Sequence, residues 1–226
     1  MNTRHLQAKF LSYISDMVNC SDDSRVMGEC LRMGDYFSPV AIHDGAGGVL
    51  VALAEDFDIL LCAHTDRHPA GIGYDDGVGV AIALTALSEL PEGTRVAAAF
   101  TLGEEDGGWG IQQMLTDGLH IPRAALVLDR CTSWEVVASI HGKPLCPLVV
   151  THAVRTVMSD ASAHWYEIVR GAPCDALHLA DVTPTVNLST GVYNQHTADE
   201  GFNFAAAWGT LRGVLALCRE PERWLP

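Results

Sequence analysis

Residues 59–66 read Ile59-Leu60-Leu61-Cys62-Ala63-His64-Thr65-Asp66. Five apolar residues in a row have strand length, and a strand apolar at every position is buried on both faces. The run breaks on polar residues, so the chain leaves the core at His64. Downstream, Asp75 opens a segment running through Val80-Ala81-Ile82-Ala83-Leu84-Thr85-Ala86-Leu87, which reads as a buried helix ending before Pro91. Val96 to Leu102 is a second buried strand, Trp109 to Leu115 an amphipathic helix, Ala124 to Leu128 a third strand and Trp134 to Ile140 a fourth. Strands alternating with helices form a parallel sheet with helical crossovers. The predicted fold class is α/β, a three-layer α/β/α sandwich around a mostly parallel mixed sheet.

The flanking segments extend this frame. From Arg4 to Val18 the residues Leu6, Phe10, Leu11, Ile14, Met17 and Val18 recur at helical spacing, and Ser24 to Met33 reads as a second short helix. Val40-Ala41-Ile42 and Val49 to Leu53 flank Asp44-Gly45-Ala46-Gly47-Gly48, the pattern of a hairpin. Lys143 to Ala172 has room for another strand and helix. Thr185-Val186-Asn187-Leu188 is a short strand, and Phe202 to Leu217 closes the chain as a long helix. With no internal repeat or linker, residues 1–226 are expected to form one domain.

A net charge of −14 offers no basic stripe for nucleic acid or for an anionic membrane surface. No stretch approaches the ~18 apolar residues of a membrane span. The seven cysteines (20, 30, 62, 131, 146, 174 and 218) are odd in number and contain no CxxC pair, which argues against a disulfide framework and a thiolate zinc site. Free thiols, and a polar start from Met1 to Lys9 without a signal peptide, give the expectation of a cytoplasmic protein.

The chemistry lies where the polar residues meet those elements. His64-Thr65-Asp66 follows the strand at 59–63, Asp75-Asp76 opens the next helix, Glu104-Glu105 follows the strand at 96–102, and Asp129 ends the strand at 124–128. His196 stands in Tyr193-Asn194-Gln195-His196-Thr197, a loop after the strand at 185–188. In a parallel sheet the carboxyl ends of the strands share one edge, where ligands bind. Two imidazoles with several carboxylates suit zinc, or cobalt or manganese. Five such groups exceed what one open catalytic ion needs, and suit two ions with a bridging carboxylate. Each piece alone has a plainer reading: a solvated loop, a helix cap, a surface pair of glutamates, a turn aspartate. Only their joint placement carries the inference.

The ordered set His64-Thr65-Asp66, Gly73-Tyr74-Asp75-Asp76-Gly77-Val78-Gly79, Glu104-Glu105, Leu128-Asp129 and His196-Thr197 resembles the co-catalytic di-zinc exopeptidase superfamily. That group includes bacterial zinc aminopeptidases, peptidase T and acylamino-acid deacylases. Further matches are Pro184-Thr185-Val186-Asn187-Leu188-Ser189-Thr190-Gly191, and Asp175 where the family often has a Ser-Asp pair. The resemblance implies a phosphorylase/hydrolase-like zinc peptidase fold holding two Zn ions. His64 and Asp129 would bind one ion, Glu105 and His196 the other, and Asp75 would bridge them. Glu104 would be the general base toward a metal-activated water, Asp66 would orient the His64 ring, and Asp76 would cap the helix beside the bridge.

His64 and Asp75 are only 11 positions apart, and 66 residues separate Asp129 from His196, too few for a lid domain. A bare catalytic domain is expected, without lid or dimerisation insert, so a neighbouring subunit of a homo-oligomer could complete the site. Arg130 could hold a substrate carboxylate or pair with a surface acid, and Tyr193 and Trp109 could wall a pocket or pack in the core. Asp106, Asp199 and Glu200 are candidates to meet a substrate amine, and Cys174 is expected to be a structural thiol. His141 and His164 read as structural. The expected function is hydrolysis of amide bonds in short peptides, foremost by an aminopeptidase. The alternatives are a deacylase or dipeptidase acting on acyl-amino acids and, in another class, an inactive metal-binding interaction module. A one-zinc glutaminyl cyclase fits the five-residue set less well.

Overall fold

The computed structural model describes residues 3–19, 28 and 41–225. Helix α1 (Thr3–Val18) precedes the hairpin β1 (Ala41–Gly45) and β2 (Gly48–Ala52). There follow β3 (Ile59–His64), α2 (Tyr74–Glu89), β4 (Val96–Thr101), α3 (Trp109–Thr116), β5 (Ala124–Arg130), β6 (Glu135–Ile140) and β7 (Lys143–Pro144). The chain continues through α4 (Leu148–Ser162), β8 (Glu167–Gly171), α5 (Asp175–Leu179) and β9 (Thr185–Ser189). A small ladder, β10 (Val192–Tyr193) with β11 (Gly201–Phe202), leads into α6 (Phe204–Arg219). The helix expected over Ser24 to Met33 lies outside the described residues apart from Gly28.

Nine strands form one sheet in the order β1-β2-β4-β3-β5-β9-β6-β7, with β8 pairing β6. Its centre is parallel: β3 runs with β4 and β5, and β5 with β9. The hairpin and β6 join antiparallel at either side, so the sheet is mixed but mostly parallel at its core. Side chains alternate between two hydrophobic layers as strand geometry requires. On β3, Ile59, Leu61 and Ala63 face one core while Leu60 and Cys62 face the other; on β4, Val96, Ala98 and Phe100 alternate with Ala97 and Ala99. Helices α1, α2, α4 and α6 cover the first face, and α3 and α5 the second. This is the expected α/β/α sandwich.

Two local expectations change. The segment from Lys143 to Ala172 carries two strands and a helix, β7, α4 and β8. The last helix begins at Phe204 rather than Phe202, because Phe202 pairs with Val192 and Asn203 caps the helix by accepting from the Ala206 N–H at 3.2 Å. Among the described residues, no helix is long and apolar enough to cross a membrane.

Candidate metal centre

The parallel strands end together, and the polar residues that follow them share that edge. His64 is the last residue of β3 and is side by side with Thr101, the last of β4. The turn after β4 carries Glu104 and Glu105, whose backbone N–H groups donate to Asp66 Oδ1 and Oδ2 at 3.2 and 3.1 Å. One carboxylate thus ties the loop after β3 to the loop after β4. Asp129, near the end of β5, donates its N–H to Asn187 Oδ1 on β9 at 3.2 Å.

Asp75 and Asp76 open α2 with non-helical backbone. Asp76 Oδ1 accepts from the Gly79 N–H at 3.2 Å and Oδ2 from the His64 N–H at 3.3 Å, so it acts as the cap. Gly79 must lack a side chain, since a Cβ there would lie 2.0 Å from the Leu128 carbonyl oxygen. The helix start can therefore press against the end of β5. Ahead of Asp75, Glu200 Oε2 accepts from the N–H groups of Ile72, Gly73 and Tyr74 at 2.8, 2.7 and 3.0 Å.

Around these supports the donor atoms converge. His64 Nε2 lies 3.5 Å from Asp75 Oδ1, 3.7 Å from Asp129 Oδ1 and 4.0 Å from Glu104 Oε2. His196 Nε2 lies 3.2 Å from the other oxygen of Asp75, Oδ2, and 2.8 Å from Glu105 Oε1. Asp75 therefore stands between the two imidazoles with one oxygen toward each. His196 sits between β10 and β11 with φ of 60°, a left-handed backbone uncommon for a residue with a side chain. Its ring stacks on His68, centroids 4.2 Å apart, and His68 Nδ1 accepts from the Ala70 N–H at 3.2 Å.

Electrostatically the cluster is crowded with carboxylates. Burial, then the Asp129 charge, pushes Glu104 up to about 9. Burial pushes Asp129 up to about 6 despite the His64 ring beside it, and raises Glu105 as well. For His64, burial opposes protonation, but the neighbouring carboxylates of Asp129, Asp66 and Asp75 outweigh it and raise its value. Asp75 Oδ1 and Glu105 Oε1 are buried without a hydrogen-bond partner, although ring nitrogens stand close by. Oxygen and nitrogen donors that face one another without bonding fit shared divalent ions. Among the described residues there are three sets of possible ligands whose atoms lie within 4.8 Å of one another inside each set: His64/Glu104/Glu105, His64/Asp76/Asp129 and Asp75/Glu105/His196. Asp76 is near enough to belong, but both of its oxygens already serve backbone N–H groups.

All five expected ligands and Glu104 meet here. Asp66 lies beside them, yet the nearer partner of His64 Nδ1 is its carbonyl oxygen at 3.0 Å, with Oδ1 at 3.5 Å. The Asp66 carboxylate thus faces the His64 ring and also holds the Glu104-Glu105 turn. A cleft of about 310 Å³ opens over the centre, walled by Glu104, Asp129, Arg130, Cys174 and Gln195. Arg130 bonds Glu135 and also lines this cleft, so both of its sequence readings have a basis.

Asp175 and Tyr193 are not cleft residues. Asp175 is 2 % exposed and accepts from Thr101 Oγ1 at 2.5 Å, while Tyr193 lies over Gly201 and is half exposed. Glu200 gives Oε2 to the 72–74 backbone, while its Oε1 is buried without a hydrogen-bond partner among the described residues. Cys174 Sγ accepts from Asn187 Nδ2 at 3.2 Å, a structural thiol at the cleft wall. His164 stacks on Trp134. His68 is the residue that the motifs passed over; its one sequence signal is a position four residues after His64.

No protein-family model matches the chain. No curated protein matches it either. Solved structures do. A leucine aminopeptidase precursor from Bacteroides thetaiotaomicron superposes with a TM-score of 0.78 at 13 % identity, covering 94 % of this chain and 96 % of that one. Aminopeptidase PepT from Bacillus cereus gives 0.77 at 12 % identity over 95 % and 98 % of the two chains. A glutaminyl cyclase from Porphyromonas gingivalis gives 0.71 at 14 % identity over 95 % and 98 %. The protein therefore has the α/β fold of these aminopeptidase and glutaminyl cyclase structures, the fold that its ordered motifs resemble.

Proposed function

We propose that the protein is a hydrolase of amide bonds in short peptides, foremost an aminopeptidase, that works with two divalent ions, zinc by preference. The observation that carries this reading is Asp75, whose two oxygens address two different imidazoles within a ring of carboxylates. His64 and Asp129 would hold one ion, Glu105 and His196 the other, with Asp75 shared. Ions bound there would acidify a water molecule and stabilise negative charge on the scissile carbonyl oxygen.

The chain's own part is proton handling and positioning. Glu104 lines the cleft beside the ligands, where a carboxylate can take a proton from water and pass it to the leaving nitrogen. Asp66 keeps Glu104 in place through the turn N–H bonds. Glu104→Gln should keep its metal content near wild type while lowering kcat by about 100-fold or more, the scale of a lost general base. Full activity in that variant would sink the mechanism. Metal binding without hydrolysis of any peptide by the wild type would instead favour the interaction module.

The Pyrococcus horikoshii TET1 peptidase, which shares the fold at 16 % identity, can assemble into a tetrahedron or a large octahedral shell. For this chain a homo-oligomer is proposed on the exposed Leu148, Val149 and Trp165, and light scattering tests it. A cytoplasmic location and a bare catalytic domain complete the proposal; the five described free cysteines agree with a reducing compartment.

A further inference from the structure

Arg130 is the one lysine or arginine among the described residues lining the cleft, and it follows the ligand Asp129 directly. The pairing of β5 with β9 shifts register between Val127 and Arg130, a bulge that re-aims the strand end. Arg130's carbonyl is pinned there by the Thr190 and Thr132 N–H groups at 2.9 and 3.0 Å. Its Nε donates to Glu135 Oε2 at 2.8 Å. Glu135 is fixed in turn: Thr132 Oγ1 donates to the same oxygen at 2.7 Å, and the Glu135 N–H donates to Ser189 Oγ at 2.9 Å. One edge of the guanidinium is therefore held, and its two Nη groups have no partner among the described residues. An anchored fork with two free donors matches the two oxygens of a carboxylate.

We propose that Arg130 binds the α-carboxylate of the leaving residue, so that the substrate class is amides of an amino acid bearing a free carboxylate: dipeptides or N-acyl amino acids. This rests on the amide-hydrolase reading. Water adds its oxygen to the carbonyl carbon, the C–N bond breaks, and the proton taken from water goes to the departing nitrogen, which releases a free amino acid. In that product one carbon separates the nitrogen from the carboxylate, so the carboxylate must be met beside the ligand set, where Arg130 stands. With Asp75, Glu105 and Asp129 given to the proposed ions, the guanidinium of Arg130 is the one lysine or arginine group among the described residues of the cleft left to meet a carboxylate.

The test uses the full chain loaded with zinc and compares a dipeptide, its C-terminal amide, and the corresponding N-acetyl amino acid. The dipeptide should exceed its amide in kcat/KM by about tenfold or more, mostly through KM, as expected for a charge-assisted bidentate pair. Arg130→Gln should erase that preference and Arg130→Lys retain part of it. The free leaving amino acid should compete more tightly than its amide with the wild type, but not with Arg130→Gln. Turnover of the N-acetyl compound at the dipeptide's rate assigns the site to acyl-amino acids as well; turnover of the dipeptide alone assigns it to dipeptides. A wild-type ratio near one, or a preference that survives Arg130→Gln, overturns the role of Arg130 and leaves the hydrolase reading standing. Failure to cleave any of the three, or longer peptides, overturns both. Should Arg130→Gln unfold through loss of the Glu135 bond, the wild-type ratio and the Lys variant still decide.

Discussion

His196 is the most exposed of the five proposed ligands, its side chain 35 % accessible against 1 % for His64 and 5 % for Asp75. Packing alone does not orient it. The stack on His68 supplies what the core supplies to His64, and the bond from the Ala70 N–H holds His68 in turn. Removing a residue that orients a ligating imidazole typically weakens metal binding about 10–100-fold. His68→Ala should accordingly weaken zinc binding about tenfold, at the low end because the stack is partly open to solvent. His68→Phe, which keeps a flat ring, should recover most of the loss. Competition for zinc against a chromogenic chelator measures both, and unchanged affinity in His68→Ala would remove the supporting role. None of this was legible in the sequence. His64, Asp129 and Glu104 end apolar runs, a local signal, whereas His68 matters only because a distant loop folds over it.

At the scale of elements, the start of α2 depends on a carboxylate from another segment. Three consecutive N–H groups ahead of Asp75 point at Glu200 Oε2, and a helix start has no partners of its own for such groups. Glu200→Ala would strand these donors, at a cost of about 3 kcal/mol or more if each loses about 1 kcal/mol. The expected fall in Tm is about 6–12 °C for a chain of this size, measured with excess zinc present. Metal affinity should fall with it, because the 72–74 segment sets where Asp75 stands. A Tm within a degree or two of wild type would show that water replaces the carboxylate readily. Here sequence reading found helix α2 and did not foresee the contact that supports its start. The helix and its two aspartates were legible from the apolar run of 78–87; Glu200 read only as one candidate, with Asp106 and Asp199, to meet a substrate amine, because nothing local reveals that its Oε2 serves a backbone loop. The partners of Asp175 were hidden for the same reason, since they are Thr101 on β4 and Cys62 on β3.

Over the whole molecule, the sandwich was legible because burial on both faces leaves unbroken apolar strands, and those strands dictated where the polar residues emerge. That layout also concentrates charge. Glu104, Glu105, Asp129 and Asp76 are all pushed above the ordinary carboxylate range, with burial the first cause. Without cations the folded chain carries this cost, and divalent ions that bind only the folded form offset it. By linkage each site contributes about 2.7 kcal/mol when the free ion stands at a hundred times its Kd. The two proposed sites would then raise Tm by about 10–20 °C, since each kcal/mol shifts a chain of this size by about 2–4 °C. Chelation should reverse that gain and added zinc restore it, read by thermal unfolding with no substrate present. Glu104→Gln sharpens the experiment, since it deletes a strained carboxyl without deleting a proposed ligand. A carboxyl whose folded value is raised stabilises the fold below its unfolded value, near 4.5, and loses that contribution as pH rises toward about 9. At neutral pH the metal-free Gln variant should therefore melt above the metal-free wild type, and the span between chelated and zinc-loaded forms should narrow. A Tm indifferent to chelator and zinc in both proteins would mean that this cluster of acids and imidazoles holds no metal.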